Sequence, residues 1–387
     1  MVSHFKSAEP KKVSNRAISL DLARGAMLLL IALAHAPLYL YHAEPGIMFS
    51  VEGVTWFDHF VNFLGFLFID NRARPMFAVL FGYGLVLIFN SQIKKGKTEE
   101  DAVKTIRRRS WYLIVFGMAL TIFIGGQDIL MAYGIAGLVL SGLVKRENKI
   151  LIRAFMIITL VYFLIIPILW GAIGGQSLSP GFSANDNYLD VAFSNLFIFP
   201  VYPLLIHILF PVLPSILIGM WMARYQFMTR PKEGSKKLLY VAVIGLIISL
   251  LGALPVSLIG EVWNPDLFTV GLASALQVLT GIAGGAAYAA IFGIIGAKMT
   301  KPGKITFMLT ALGKRSLTFY VVNEAFLVLL LSPVAFDLGG LVTNGIAALI
   351  AVWIWIVSVA TASMLEIKKI NGPLEKLLQR LVYKKSY

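Results

Sequence analysis

Asp21, Arg24 and His35 fall within one apolar run, ISLDLARGAMLLLIALAHAPLYLY. Ionisable side chains are costly at bilayer depth, so each marks a candidate functional site. Asp21 and Arg24 are three residues apart and are neighbours on a helix. Arg24 and His35 are separated by about 1100° of helical turn, roughly 20° beyond three full turns, and by about 16 Å of rise. All three share one helix face. An imidazole titrates near neutrality and can serve as a general base. Pro37 follows two residues later and leaves the Leu33 carbonyl without its usual helical partner, which opens the helix beside the ring. The plain structural alternative is an Asp–Arg anchor near the headgroups with a histidine satisfied inside the bundle.

Further polar residues lie in or beside apolar runs: Arg72, Arg74, Asp128, Arg315 and Glu324. Arg72 or Arg74 is expected to pair with an acid such as Asp128. Asp21, Arg24, Arg72, Arg74, Asp128 and Glu324 form the candidate binding set around a catalytic His35. Soluble-enzyme signatures (GxGxxG, P-loop, HExxH, GxSxG) are absent from the sequence. The five histidines, His4, His35, His42, His59 and His207, have no metal-ligand spacing, and the chain has no cysteine, which excludes thiol and disulfide chemistry. No metal and no bound cofactor are expected. His207, among Pro200, Pro203, Pro211 and Pro214, reads as a packing residue.

The elements that hold these residues must be membrane helices. Of 387 residues 58% are hydrophobic and 14% charged, against about half and about a quarter in soluble domains. Mean hydropathy is +0.79. The net charge of +14 does not point to nucleic acid, because the basic residues cluster in short connections between apolar runs. Spans are expected near Ile18–Tyr41, Pro75–Asn90, Trp111–Gly126, Ile129–Val144, Leu151–Trp170, Leu189–Met222, Leu239–Ile259, Thr269–Ala297, Ile305–Leu331 and Leu341–Leu365. Two spans separate each pair of successive basic clusters, so every cluster can face the cytoplasm with both termini inside. The organisation predicted is a basic cytoplasmic tail over 1–16, a polytopic domain over 17–366 and a basic cytoplasmic tail over 367–387. No cleavable signal peptide is evident. The short apolar piece Phe57–Ile69, followed by DNRAR, is expected to be a half-helix or re-entrant segment that puts Arg72 and Arg74 beside a cavity. The fold class is thus an all-α integral membrane protein of about ten helices plus that segment, in the plasma membrane. LFGYG (Leu80–Gly84) and TGIAGGAAYAAIFG (Thr280–Gly293) read as close-packing helix faces.

LDLARG (Leu20–Gly25), RPMFAVLFGYG (Arg74–Gly84), QDILMAYGIAGL (Gln127–Leu138), LGKRSLTFY (Leu312–Tyr320) and GPLEKLLQRLVY (Gly372–Tyr383) follow one another along the chain. In this order they resemble the landmarks of the YeiB family, bacterial multi-pass membrane proteins with a domain of unknown function. The chain departs from that pattern at Leu120, where the family often has His, and at Gly125, where an aromatic is usual. It departs again at Asn323–Glu324, usually Gln and a small residue, and at Lys376 and Leu378, usually Trp. The first helix is also similar to that of membrane acyltransferases, whose RG…H arrangement has the spacing of Gly25 to His35. Many YeiB-type proteins have Asn at that position. The resemblance implies that His35 deprotonates an acceptor hydroxyl or amine. It further implies that an acyl donor such as acyl-CoA arrives from the cytoplasm, its phosphates held by Arg72 and Arg74.

The reading with most support is therefore a membrane acyltransferase acting on an envelope sugar, lipid or small metabolite. A transporter or exporter is the alternative, because broken segments with buried charges are also its signature. A non-catalytic scaffold is the third. The lipid bilayer is the one partner common to all three, and none involves nucleic acid.

Overall fold

The computed structural model describes residues 15–176, 182–198, 201–229, 234–299 and 303–383. The expected N-terminal tail falls largely outside them. Among the described residues the chain is helical, with two isolated β-bridges and no strand. The helices are α1 (Asn15–His35), α2 (Trp56–Leu64), α3 (Ala73–Lys94), α4 (Glu99–Ala119), α5 (Leu130–Leu140), α6 (Asn148–Ile173), α7 (Tyr188–Ile198) and α8 (Tyr202–Leu209). They continue with α9 (Val212–Arg224), α10 (Ser235–Ser257), α11 (Leu267–Lys298), α12 (Lys304–Lys314), α13 (Ser316–Leu331), α14 (Asn344–Ile367) and α15 (Pro373–Tyr383).

Six described stretches are long and apolar enough to cross a membrane, or seven if the bent α7–α8 pair counts as one. The protein is a multi-pass membrane protein. The other expected spans appear as shorter apolar helices, Leu130–Lys145, Val212–Arg224 and Ser316–Leu331, or as α4, which opens on the charged turn Glu99–Asp101. Ile305–Leu331 breaks into α12 and α13 at Arg315.

The re-entrant expectation for Phe57–Ile69 needs correction. This segment runs through a π-turn (Gly65–Ile69) into α3, so that Trp56–Lys94 forms one apolar helical stretch of 39 residues. The polar turn Asp70–Arg72 interrupts the helix, with Asp70 extended and Asn71 at φ +57°, but α3 continues the same stretch and no reversal intervenes. A capping box between Thr55 and Asp58 starts α2, and Asp58 also accepts from the Gly345 amide of α14 at 2.7 Å.

Small residues set the helix spacing. At the α3–α9 crossing, a Cβ on Gly82 would overlap the Ile216 carbonyl, and one on Gly219 would overlap the Val79 carbonyl. Gly281 and Gly285 of α11 face the backbone of Asn71 and Pro75 in the same way. Both glycine-rich segments thus serve as close-packing faces. α6 and α10 turn apolar residues such as Met156, Phe163, Ile168, Ile247 and Leu251 outward, while α11 and α1 lie inside.

The C-terminal motif locks this frame. Glu375 of α15 accepts from the Leu317 amide (2.7 Å), the Thr318 amide (3.2 Å) and the Thr318 hydroxyl (2.5 Å), capping the N-terminus of α13 with a carboxylate. Arg315 bonds Glu366 at 2.7 Å and the Ile370 carbonyl at 3.0 Å.

Candidate functional site

Three interruptions of regular helix meet around one cavity. α1 ends at His35 and tightens into a 3₁₀ turn over Ala36–Tyr39, as the missing Pro37 donor requires. The π-turn Gly65–Ile69 delivers Asp70 and the start of α3. A second π-turn, Leu120–Ile124, leads to Gly125 with φ +77° and then to Gln127 and Asp128. π-turns inside helices are frequent at functional sites because they re-aim the side chains that follow.

The central contact is His35 Nδ1 to Glu324 Oε1 at 2.6 Å. Glu324 lies on α13 and is fully buried. Tyr39 donates to its other oxygen at 3.0 Å. A carboxylate only accepts, so Nδ1 is the donor in this contact, and in the neutral ring that tautomer carries its lone pair on Nε2. Among the described residues no hydrogen bond engages Nε2, and His35 lines a cavity of about 50 Å³ with Asp70, Arg74, Asp128 and Tyr202. A base oriented by a second, buried group is the arrangement that general-base catalysis needs.

A second set of bonds fixes the surrounding wall. The Tyr39 hydroxyl accepts from the Gln127 amide at 3.1 Å, and Tyr320 donates to the Gln127 carbonyl at 2.7 Å while accepting from the Ile129 amide at 3.2 Å. Tyr202 donates to Gln127 Oε1 at 3.2 Å. Asp128 caps α5 through the Leu130 and Met131 amides, at 2.8 and 2.7 Å. The QDIL and LTFY motifs are thus two halves of one brace.

Of the sequence candidates, the structure brings His35, Asp128 and Arg74 to one cavity, where Asp70 joins them, and Glu324 is bonded to His35. Arg72 is not among the lining residues. Its guanidinium bonds Ser249 Oγ (2.9 Å), the Ser249 carbonyl (2.5 Å) and the Asp70 carbonyl (2.8 Å), tying α3 to α10. Neither arginine forms the expected ion pair with Asp128 among the described residues, because the Asp128 carboxylate is turned to the α5 amides. Asp21 and Arg24 sit apart, as an i,i+3 pair at 3.5 Å near the far end of α1. His207 Nε2 lies 2.8 Å from the Ala132 carbonyl, while its Nδ1 is buried without a hydrogen-bond partner. Tyr39, Gln127, Tyr202 and Tyr320 are the site residues that sequence reading misses. The one signal for Tyr39 is its position four residues after His35, at the end of the turn that Pro37 introduces.

A wide cleft of about 1120 Å³ adjoins the cavity, and Leu38, Phe49 and Phe66 line both. The Leu40–Gly53 loop, α2 and the α10–α11 connection form its walls, and His59 pairs with Glu261 at 2.6 Å on its rim. Tyr41, on the same wall, donates to Asp337, and burial together with that carboxylate pushes its phenol up to about 12.

Residues 222–385 match a family model described as a protein of unknown function (DUF418), the YeiB-type domain. The resemblance to the YeiB family holds over this C-terminal part, which includes LGKRSLTFY and GPLEKLLQRLVY. No curated protein matches the chain.

Proposed function

We propose that this YeiB-type membrane protein is an acyltransferase of the bacterial plasma membrane and that His35 is its general base. The observation that carries the reading is the His35–Glu324 contact, made through Nδ1 by a histidine that lines a cavity adjoining a wide cleft. His35 Nε2 takes the proton from an acceptor hydroxyl or amine. The acceptor oxygen or nitrogen bonds the acyl carbonyl carbon, the donor's C–S bond breaks, and the leaving thiolate recovers the proton from His35. Glu324 holds the ring tautomer and stabilises the imidazolium that forms, while Tyr39 positions Glu324. The donor is an acyl thioester of the acyl-CoA type from the cytoplasm. The acceptor, an envelope sugar, lipid or small metabolite, enters through the cleft.

The orientation that agrees with the basic clusters has ten crossings and both termini inside. α1, the Trp56–Lys94 stretch, α4, α5, α6, α8–α9, α10, α11, α12–α13 and α14 cross in turn, which puts the cleft on the external side. The test is acyl transfer by reconstituted full-length protein. His35→Ala is expected to lower turnover by about 10²–10⁴-fold, the range for a lost general base. Unchanged transfer removes His35 from the mechanism.

A transporter is the second reading, favoured by the convergence of interrupted helices on buried charges. Donor-independent flux of a solute into proteoliposomes supports it over the enzyme.

A further inference from the structure

Arg74 is the unexplained charge of the site. Its Nε and Nη1 are buried and have no hydrogen-bond partner. No described Asp or Glu forms an ion pair with it. Asp70 and Asp128 line the same cavity, but Asp128 is spent on α5 amides, and Asp70 attracts the guanidinium through space without forming an ion pair with it. Leaving a cation buried and unpaired is costly, so such a group ordinarily has an anionic partner.

The guanidinium is held in place without one. Its centre lies 4.0 Å from the Phe210 ring centroid and 5.8 Å from that of Phe49. Stacking on a ring face uses the face of the guanidinium and leaves the in-plane N–H groups free to donate. The backbone is anchored as well, because Tyr133 donates to the Arg74 carbonyl at 2.8 Å. Arg74 also sits in the first turn of α3, where amide groups lack in-helix acceptors and the helix dipole favours negative charge. Arg72, two residues earlier, has three hydrogen bonds to protein and is satisfied.

We propose that Arg74 is an anion-recognition residue and that the substrate acted on at His35 carries a compact oxyanion, a carboxylate or phosphate group. This rests on the His35 reading for the reaction but not for the binding. The cavity volume of about 50 Å³ limits what enters. At about 10–15 Å³ per water on this measure it holds roughly four waters, the room of one oxyanion group. The rest of the substrate extends past Phe49 and Phe66 into the cleft.

The experiment uses the full-length protein in phosphate-free, phospholipid-free detergent. Thermal midpoints are titrated with inorganic phosphate, sulfate, acetate and chloride at matched ionic strength. A parallel arm adds phosphatidic acid, which separates a lipid phosphate from a soluble one. The expected result is a saturable rise with phosphate, acetate or the lipid that chloride does not reproduce. Arg74→Gln is expected to weaken it at least about tenfold, the value of one charge-assisted hydrogen bond. Arg74→Lys keeps the charge, loses the planar fork and is expected to weaken it several-fold, which keeps the test valid if the glutamine variant does not fold. No saturable rise with any oxyanion, or an equal rise in both Arg74 variants (an adventitious ion only), overturns the proposal. His35→Ala should retain the rise. If His35→Ala keeps acyl transfer while Arg74→Gln loses the rise, the base assignment fails and the anion site stands.

Discussion

Glu324→Gln keeps the shape of the His35 partner and removes its charge. In the native site Nδ1 must donate to the carboxylate at 2.6 Å. A hydrogen bond to a charged group contributes about 1.5–3 kcal/mol, which biases the neutral imidazole toward the Nδ1–H tautomer by about 10- to 150-fold. A neutral bond contributes about 0.5–1.5 kcal/mol, so the bias falls to about two- to tenfold, and an amide that donates inverts it. Tyr39, which donates to the other oxygen at 3.0 Å, favours placing the amide NH₂ toward His35, so the inverted tautomer is the expected outcome. Nitrogen NMR of the full chain with isotopically labelled histidine reads the ratio from ring couplings, and the His35→Ala spectrum assigns the signal among the five histidines. The native protein should show a bare Nε2 and the variant a protonated one, with acyl transfer falling about 10²–10⁴-fold. A protonated Nε2 in the native protein, or an unchanged ratio in the variant, refutes the orienting role of Glu324.

Other outcomes follow from the frame. Glu375→Ala removes the acceptor of three hydrogen bonds at the start of α13 and should cost about 2 kcal/mol, seen as a lower thermal midpoint in detergent; an unchanged midpoint denies the cap. Gly82→Leu should push α3 from α9 and cost at least about 1–3 kcal/mol, whereas Gly142→Ala, with open space around it, should leave the midpoint in place. The chain has no native cysteine, so single-cysteine variants report topology directly. Val54→Cys should react with an impermeant maleimide on intact spheroplasts and Lys97→Cys only after permeabilisation; the reverse pattern inverts the proposed orientation.

The first helix was the most legible part of the sequence. Its ionisable residues pointed to His35, and Pro37 to the break beside it. Glu324 was legible as a buried charge but not as the partner of His35, because 289 residues separate them and nothing local encodes the contact. Arg72 and Arg74 look alike in the sequence. The turn between the π-segment and α3 decides that Arg72 bonds Ser249 and the Asp70 carbonyl while Arg74 lines the cavity. Tyrosines in apolar runs carry no signal that separates a brace from ordinary packing, so Tyr39, Tyr202 and Tyr320 stayed hidden. Phe57–Ile69 read as a separate piece because the polar run DNRAR follows it, and hydropathy does not show that the helical stretch continues beyond that run.

The pairing of His35 with Glu324 also has a meaning in time. Chains are made from the N-terminus at about 5–20 residues per second, so His35 enters the membrane well before its partner exists. Until α13 arrives, its Nδ1 lacks that carboxylate, and α13 itself waits for Glu375, a further 51 residues along, before its first turn is capped. The nascent protein therefore spends most of its synthesis without the His35–Glu324 contact. The imidazole gains this partner only when the bundle around it is nearly complete.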